Sequence, residues 1–62
     1  MIFEIVYSNN YFSNVTYRAF IEAHSIERAI EVFNDRYVDC VIRSVVFRAL
    51  TVEGFSEETH FG

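Results

Sequence analysis

Residues 25–38 read SIERAIEVFNDRYV, and their pattern predicts the one substantial helix of this chain. Apolar residues recur with a period of about 3.6 residues, which is typical of a helix that buries one side. These residues are Ile26, Ala29, Ile30, Phe33 and Tyr37. Ser25 precedes them as the expected N-cap, because its hydroxyl can accept a backbone N–H of the first turn. The apolar side of the helix must therefore pack against another element.

The opposite side of this helix is acidic. Glu27, Glu31 and Asp35 follow one another at i, i+4 spacing, which places them along one line of the helix surface. Glu27 and Glu31 also lie towards the positive end of the helix dipole. One interpretation is a solvated surface. The other is that these three carboxylates bind a basic surface of a partner protein.

Three runs rich in β-branched and aromatic residues predict strands, at residues 2–7, 15–23 and 40–52. In the second run, strict alternation places Phe20 on the face opposite Ala19 and Ile21. Strand 2 is therefore expected to bury one face and to present Phe20 on the other.

The register of the third strand stays open. If Val45 and Phe47 face inward, Arg43 faces inward with them, whereas the opposite register buries Ser44 and Arg48. A β-bulge or a bare outer face is needed to resolve this conflict.

Together these elements predict an α+β fold of the type ββαβ. The first two strands form an antiparallel hairpin, and a right-handed crossover through the helix places the third strand beside the first. The expected sheet is wholly antiparallel with the strand order 2-1-3, and the helix covers one face through Ile26, Ile30 and Phe33. The other face has no second layer, and an exposed apolar patch there would mark an interface.

The predicted connection between strands 1 and 2 carries two aromatic residues, Tyr11 and Phe12. They either cover the edge of the core or form exposed anchors for a partner, since aromatic side chains provide much contact area at small entropic cost. Residues 1–53 are expected to form the single domain, and residues 54–62 an acidic tail with two aromatics. This tail either frays, folds Phe55 and Phe61 over the uncovered sheet face, or meets a basic partner.

Composition excludes several classes of function. Five arginines, no lysine and nine carboxylates give a formal net charge of −4, so direct binding to a nucleic-acid backbone is not expected. Cys40 is the only cysteine, which excludes an internal disulfide and favours a reducing, cytoplasmic setting. No apolar run reaches the about 18 to 20 residues that a membrane span needs.

Catalytic and metal-binding patterns are also missing from the sequence. Cys40 opens an apolar strand, where a cysteine usually acts as a small hydrophobic residue rather than as a nucleophile. His24 and His60 have no metal-ligand spacing with it. We therefore predict no enzymatic activity, no metal and no cofactor.

Residues 17–48 resemble small phage-encoded inhibitors of host machinery. The resemblance rests on a strand that ends in IEA at residues 21–23, the helix start SIERAIE at residues 25–31, the helix exit YV at residues 37–38 and a last strand that carries arginines. In layout the span is similar to podophage inhibitors of bacterial RNA polymerase and to small anti-CRISPR proteins. The resemblance implies a host protein complex as partner, contacts through Arg43 and Arg48, and action in the host cytoplasm.

Two functional classes follow from these observations. The first is an inhibitor or adaptor that binds a host protein complex, and the second is a homodimeric structural module that closes two uncovered sheet faces on each other. The predicted partner-binding residues are Phe20, Arg43, Arg48, Glu27, Glu31, Asp35, Tyr11 and Phe12. For Arg43 and Arg48 the alternative is that they pair with Glu4 and Glu22 across the sheet.

Overall fold

The computed structural model describes residues 1–12 and 14–53. The elements follow in the order β1 (Ile2–Asn9), β2 (Tyr17–Glu22), α1 (Ile26–Arg36) and β3 (Cys40–Ala49). β1 pairs with β2 and with β3, both antiparallel, which gives the strand order β2-β1-β3. The predicted ββαβ fold and its 2-1-3 order are confirmed. The expectations for residues 54–62 lie outside the described residues.

Both outer strands are shorter than the sequence predicted. β2 was expected at residues 15–23 but is shorter, because its pairing with β1 runs from Ile2 opposite Glu22 to Tyr7 opposite Tyr17. β3 was expected to reach residue 52 but ends at Ala49, which lies opposite Ile2 at the start of β1. At its other end β1 continues beyond Tyr7 to Asn9, where it pairs with β3 alone.

Helix α1 has defined caps at both ends. The Oγ atom of Ser25 accepts the backbone N–H of Arg28 at 3.2 Å, as expected of an N-cap serine. The backbone N–H of Tyr37 donates to the carbonyl oxygen of Phe33 at 2.8 Å. The helix ends at Arg36 rather than at residue 38, since the chain turns there through Asp39, whose φ of 60° lies in the left-handed region.

The core lies between α1 and one face of the sheet. Phe33 and Ala29 on the helix and Ile5 on β1 are completely buried. The ring of Phe33 packs against Tyr7 with a centroid distance of 5.0 Å and stacks on Tyr37 at 4.6 Å. Phe33 is therefore the centre of the buried stripe.

The predicted contribution of Ile26 to this core is wrong. Ile26 is 42% exposed, and Ile30 is only partly buried. The reason is that the buried stripe of α1 runs through Ala29 and Phe33. Ile26 is the first residue of the helix and lies beyond the end of that stripe.

Two β-bulges settle the register of β3. Val6 lies opposite Ser44 and Tyr7 opposite Ile42, so the residue between them, Arg43, is an insertion in the ladder. The pairing is irregular a second time between Ile2 and Phe3, which lie opposite Ala49 and Phe47. That second insertion is Arg48. Val45 and Phe47 consequently face the same side as Ile5 and Phe3, the side of α1, without taking Arg43 with them.

Candidate interaction surface

The face of the sheet opposite α1 is here called the arginine face. Residues directly opposite each other in neighbouring strands share a face, so the pairing defines three rows across it. The rows are Glu22, Ile2 and Ala49; Phe20, Glu4 and Val46; and Arg18, Val6 and Ser44. Ser8 and Val41 continue the face at its far end. The helix α1 packs against the other face of the sheet and contributes nothing to this one.

Apolar side chains on the outer strands give this face its contact area. Phe20 on β2 is 48% exposed, and Val46 on β3 is 44% exposed. They flank Glu4 on opposite sides of the central strand. Val41 is exposed to a similar extent. The sequence-based prediction that Phe20 faces away from the helix is confirmed.

The central strand is buried on this face as well. Three of its residues are less than one-tenth exposed, namely Ile2, Glu4 and Ser8. Glu4 is the charged member of this group, and its carboxylate lies 3.5 Å from Nη1 of Arg18 and 3.8 Å from Nε of Arg48. A buried carboxylate requires such partners, because desolvation penalises its charge. The expectation that Arg48 pairs with Glu4 across the sheet is therefore met.

Arg43 is held in a different way. Its Nε–H donates a hydrogen bond of 3.1 Å to Oγ of Ser8, a residue that is 1% exposed. The expected pairing of Arg43 with a glutamate is thus replaced by a bond to a buried hydroxyl. Because Arg43 is the bulge residue, its side chain turns towards the arginine face instead of the core.

Charges are separated between the two sides of the molecule. Three of the five arginines, Arg18, Arg43 and Arg48, have their contacts on the arginine face. The exposed side of α1 carries Glu27, Glu31 and Asp35. Those carboxylates are partly balanced by Arg28, whose Nη1 lies 3.1 Å from Oε2 of Glu31. A single flat partner surface cannot contact both sides at once.

The two aromatic residues of the β1–β2 loop, Tyr11 and Phe12, lie apart from both the arginine face and the acidic side of α1. Oδ1 of Asn9 accepts the backbone N–H groups of Tyr11 at 3.0 Å and Phe12 at 2.7 Å, which shapes the turn after β1. Tyr11 is 78% exposed and Phe12 is 59% exposed. The interpretation that they cover the edge of the core is wrong.

The predicted site residues therefore fall into three separate groups. Only Phe20, Arg43 and Arg48 share one face of the molecule. Sequence reasoning missed Arg18 as a member of this surface, and it gave Glu4 only as a pairing partner of the arginines. The alternation that placed Phe20 outward also places Arg18 outward, so that signal was present in the sequence.

A cleft of about 450 Å³ lies beside the start of α1. It is lined by Met1, Glu22, Ala23, His24, Arg28 and Val32. In the part of the chain that the structure describes, no group of three or more His, Cys, Asp or Glu side chains is arranged to hold a metal ion. The cleft contains polar side chains but no described contact that would make one of them a nucleophile or a base.

One titratable group in the core is perturbed. Burial raises the pKa of Tyr7 above its ordinary value, and the nearby Tyr37, Cys40 and Tyr17 raise it further. Tyr7 stacks on Tyr17 at a centroid distance of 5.6 Å and lies on the helix side of the sheet. It is therefore part of the core and not of the arginine face.

No protein-family model, curated protein or solved structure matches this chain. Among residues 1–12 and 14–53, no helix is long and apolar enough to cross a membrane.

Proposed function

We propose that this chain is a small protein-interaction module that binds another protein through its arginine face. The observation that carries this proposal is that exposed Phe20 and Val46 share one face with three arginines, of which Arg18 and Arg48 lie beside the buried Glu4 and Arg43 is bonded to Ser8. Aromatic residues and arginine are the side chains most enriched in protein interfaces and in their energetic centres. No catalytic role is proposed.

The chemistry of this face favours an acidic partner surface with an apolar centre. Guanidinium groups bind carboxylates in a bidentate geometry that lysine does not reproduce. Arg43 is already oriented by its bond to Ser8, so less side-chain freedom is lost when it binds. Phe20 and Val46 would then fill the apolar centre of the contact.

The proposed partner is a host protein complex of a bacterium, with RNA polymerase or a CRISPR effector as the candidates. This part of the proposal is supported by the resemblance to phage-encoded inhibitors, which rests on the strand, the SIERAIE helix and the arginine-bearing last strand. On this proposal the chain acts as an inhibitor in the host cytoplasm, and the acidic side of α1 meets a separate, basic region of the same complex.

The test is capture of a partner from bacterial lysate with the tagged chain, followed by binding kinetics with the purified partner. The double variant Arg43→Ala/Arg48→Ala removes two arginines of the arginine face. Arg28→Ala/Arg36→Ala removes two arginines of the helix and is the matched control. The proposal expects a faster off-rate for the first variant only, because contacts at the centre of an interface control dissociation. Equal binding by both variants would overturn it.

A second candidate function is a homodimer formed by two arginine faces. The observation that favours it is that Arg18 and Glu22 are both exposed on this face of β2. Opposite charges on one patch can pair with each other across a two-fold axis. Sedimentation equilibrium decides between the two candidates: Phe20→Glu should convert a dimer to a folded monomer, and a wild-type monomer at high concentration would exclude the dimer.

A further inference from the structure

Strand β2 forms one edge of the sheet and is regular over its whole length. Within residues 1–12 and 14–53 it pairs only with β1, from Tyr17 to Glu22, without a register shift. The other edge strand, β3, is interrupted by the bulges at Arg43 and Arg48. Bulges, prolines and lysines are among the usual means by which proteins prevent an edge strand from pairing with another chain. The chain has no proline and no lysine, so β2 carries none of these three.

The pairing with β1 fixes which backbone groups of β2 point outwards. The N–H of Ala23 donates to the carbonyl oxygen of Met1 at 2.9 Å, so these two residues form a hydrogen-bonded pair. Hydrogen-bonded and non-hydrogen-bonded pairs alternate along an antiparallel ladder. The N–H and C=O groups of Glu22 and Arg18 therefore point to the outer edge of the sheet.

Arg18 and Glu22 also have complementary side chains. Both are exposed on the arginine face, and they lie two residues to either side of Phe20. When two such strands pair antiparallel about a two-fold axis at Phe20, each Arg18 lies opposite Glu22 of the other copy. Opposite charges at such cross-strand positions stabilise the pairing, and the two-fold axis provides this pair twice.

Other symmetric registers lack this match. A shift of two residues places Arg18 opposite Phe20 or His24 of the second copy. A shift of four residues places Arg18 opposite Arg18, or Glu22 opposite Glu22, and like charges directly opposite each other destabilise a pair. The charge pattern therefore selects one register.

The contact of Arg18 within its own chain is compatible with this pairing. Its Nη1 lies 3.5 Å from the carboxylate of Glu4, while the side chain is 71% exposed. A guanidinium group has five N–H donors, which is enough for two carboxylates. Arg18 can thus join Glu4 of one copy to Glu22 of the next.

The helices leave room for this arrangement. α1 lies over the middle of its own sheet, because its buried residues cluster with Ile5 on β1, Ile21 on β2 and Val45 on β3. Across two paired β2 strands, the two β1 strands are three strand spacings apart, about 14 Å. A helix with its side chains is about 10 to 12 Å wide, so two helices fit side by side.

We propose that two copies of this chain form an edge dimer through β2, antiparallel about a two-fold axis at Phe20, with Arg18 of each copy opposite Glu22 of the other. The product is a six-stranded sheet of order β3-β1-β2-β2-β1-β3, with both helices on one face and both arginine faces on the other. Unlike the homodimer considered above, it leaves the arginine faces uncovered. The inference does not rest on the proposed function.

Sedimentation equilibrium and amide hydrogen exchange test the edge dimer. A wild-type monomer at high micromolar concentration overturns it. In NMR samples, exchange of the N–H groups of Arg18 and Glu22 should slow as the concentration rises. Val45 is the control, since it lies opposite Ile5, whose backbone faces β2, so its own N–H points to the outer side of β3. Exchange at Arg18 and Glu22 that is as independent of concentration as that of Val45 overturns the inference.

Charge reversal tests the register. Glu22→Arg places a second guanidinium group opposite Arg18 and should convert the dimer to a monomer that circular dichroism shows to be folded. Glu27→Arg makes the same change of charge on the exposed side of α1 and should keep the dimer. A dimer that survives Glu22→Arg, or that is lost equally in Glu27→Arg, overturns the register.

A mixture of two variants gives a stricter test. Arg18→Glu chains carry two carboxylates at the edge, and Glu22→Arg chains carry two guanidinium groups. Each variant alone should be a monomer, whereas an equimolar mixture should form a heterodimer, because every cross-strand pair then joins opposite charges. A mixture of folded chains that stays monomeric overturns the pairing. If Arg18→Glu does not fold beside Glu4, the comparison of Glu22→Arg with Glu27→Arg decides.

Val46→Lys separates the edge dimer from a dimer of two arginine faces. Val46 lies on the arginine face but on β3, away from the β2 edge, and it is next to Glu4. The edge dimer should persist in this variant, whereas a face-to-face dimer should dissociate because positive charge is added at its centre. Dissociation overturns the edge dimer.

The outcomes for this inference and for the proposed function are separable. A monomer whose partner capture depends on Arg43 and Arg48 overturns only the edge dimer. An edge dimer whose partner capture ignores both arginines overturns only the proposed function.

Discussion

Arg43 and Ser8 are joined by a hydrogen bond across the sheet, from Nε of the bulge arginine on β3 to the buried Oγ of the serine on β1 at 3.1 Å. Ser8 is 1% exposed and therefore needs a partner for its hydroxyl. The bond gives the inserted residue of the bulge a defined direction. It also links the surface of the arginine face to the centre of the sheet.

Loss of this bond should reduce stability. Ser8→Ala is expected to lower the free energy of unfolding by about 1 kcal/mol, because one hydrogen bond is removed while the exposed Arg43 regains water. Urea unfolding followed by circular dichroism measures the change. Ser44→Ala, on the same face but exposed, is the control and should change stability by less than about 0.5 kcal/mol. Equal values for the two variants would show that the bond contributes nothing.

The centre of the core should be far more sensitive than the helix start. Phe33→Ala removes a completely buried ring that packs on Tyr7 and Tyr37, and it should cost about 3 to 5 kcal/mol. A domain of this size has little stability to lose, so thermal melts should show loss of cooperative folding. Ile26→Ala, at a site that is 42% exposed, should keep a cooperative melt. The reverse order would mean that α1 packs through a different face.

The N-cap of α1 provides a third test. Ser25→Ala removes the acceptor of the Arg28 N–H group and should lower the free energy of unfolding by about 1 kcal/mol. Ser25→Asn should retain most of the stability, because asparagine is an equally good capping residue. Denaturant unfolding of the three proteins gives the comparison, and an asparagine variant no better than alanine would contradict a capping role.

Stability should fall at alkaline pH through Tyr7. Burial raises the pKa of Tyr7 in the folded chain above its unfolded value, so the fold favours the neutral phenol. The resulting stabilisation is fully present below the unfolded pKa of about 10 and is lost as the pH rises through the folded pKa. Unfolding by urea at about pH 8 and about pH 11 measures this loss for the wild type.

Two substitutions isolate the contribution of Tyr7 from other alkaline effects. Tyr7→Phe should lose less stability between the two pH values, since phenylalanine has no proton to release. Tyr11→Phe, at a position that is 78% exposed, should behave like the wild type. An unchanged alkaline loss in Tyr7→Phe would assign the effect to other groups.

Much of the architecture was predictable because its signals are local. The helix followed from the period of Ala29 and Phe33 and from the capping serine at position 25. The direction of Phe20 followed from alternation along β2. The strand order followed from a hairpin and a right-handed crossover, which leave few arrangements for three strands and one helix.

Strand bounds were less predictable because they depend on the partner strand. Residues 50–52 have strand-forming side chains, yet β3 ends at Ala49 because β1 begins at Ile2. The exposure of Ile26 depends similarly on where the sheet lies beneath α1. Neither the length of a partner strand nor the position of a helix over a sheet is encoded in a local pattern.

The sequence by itself determined that β3 conflicts with any regular register, since Arg43 faces inward in one register and Arg48 in the other. Only the tertiary structure decided the outcome, by inserting each arginine at a bulge, so that Val45 and Phe47 stay on the helix side while both guanidinium groups reach β1 on the opposite face. The physical reason is that a period of two residues carries no information about where an extra residue enters. That position is set by the contacts available across the sheet, here the buried hydroxyl of Ser8 and the buried carboxylate of Glu4.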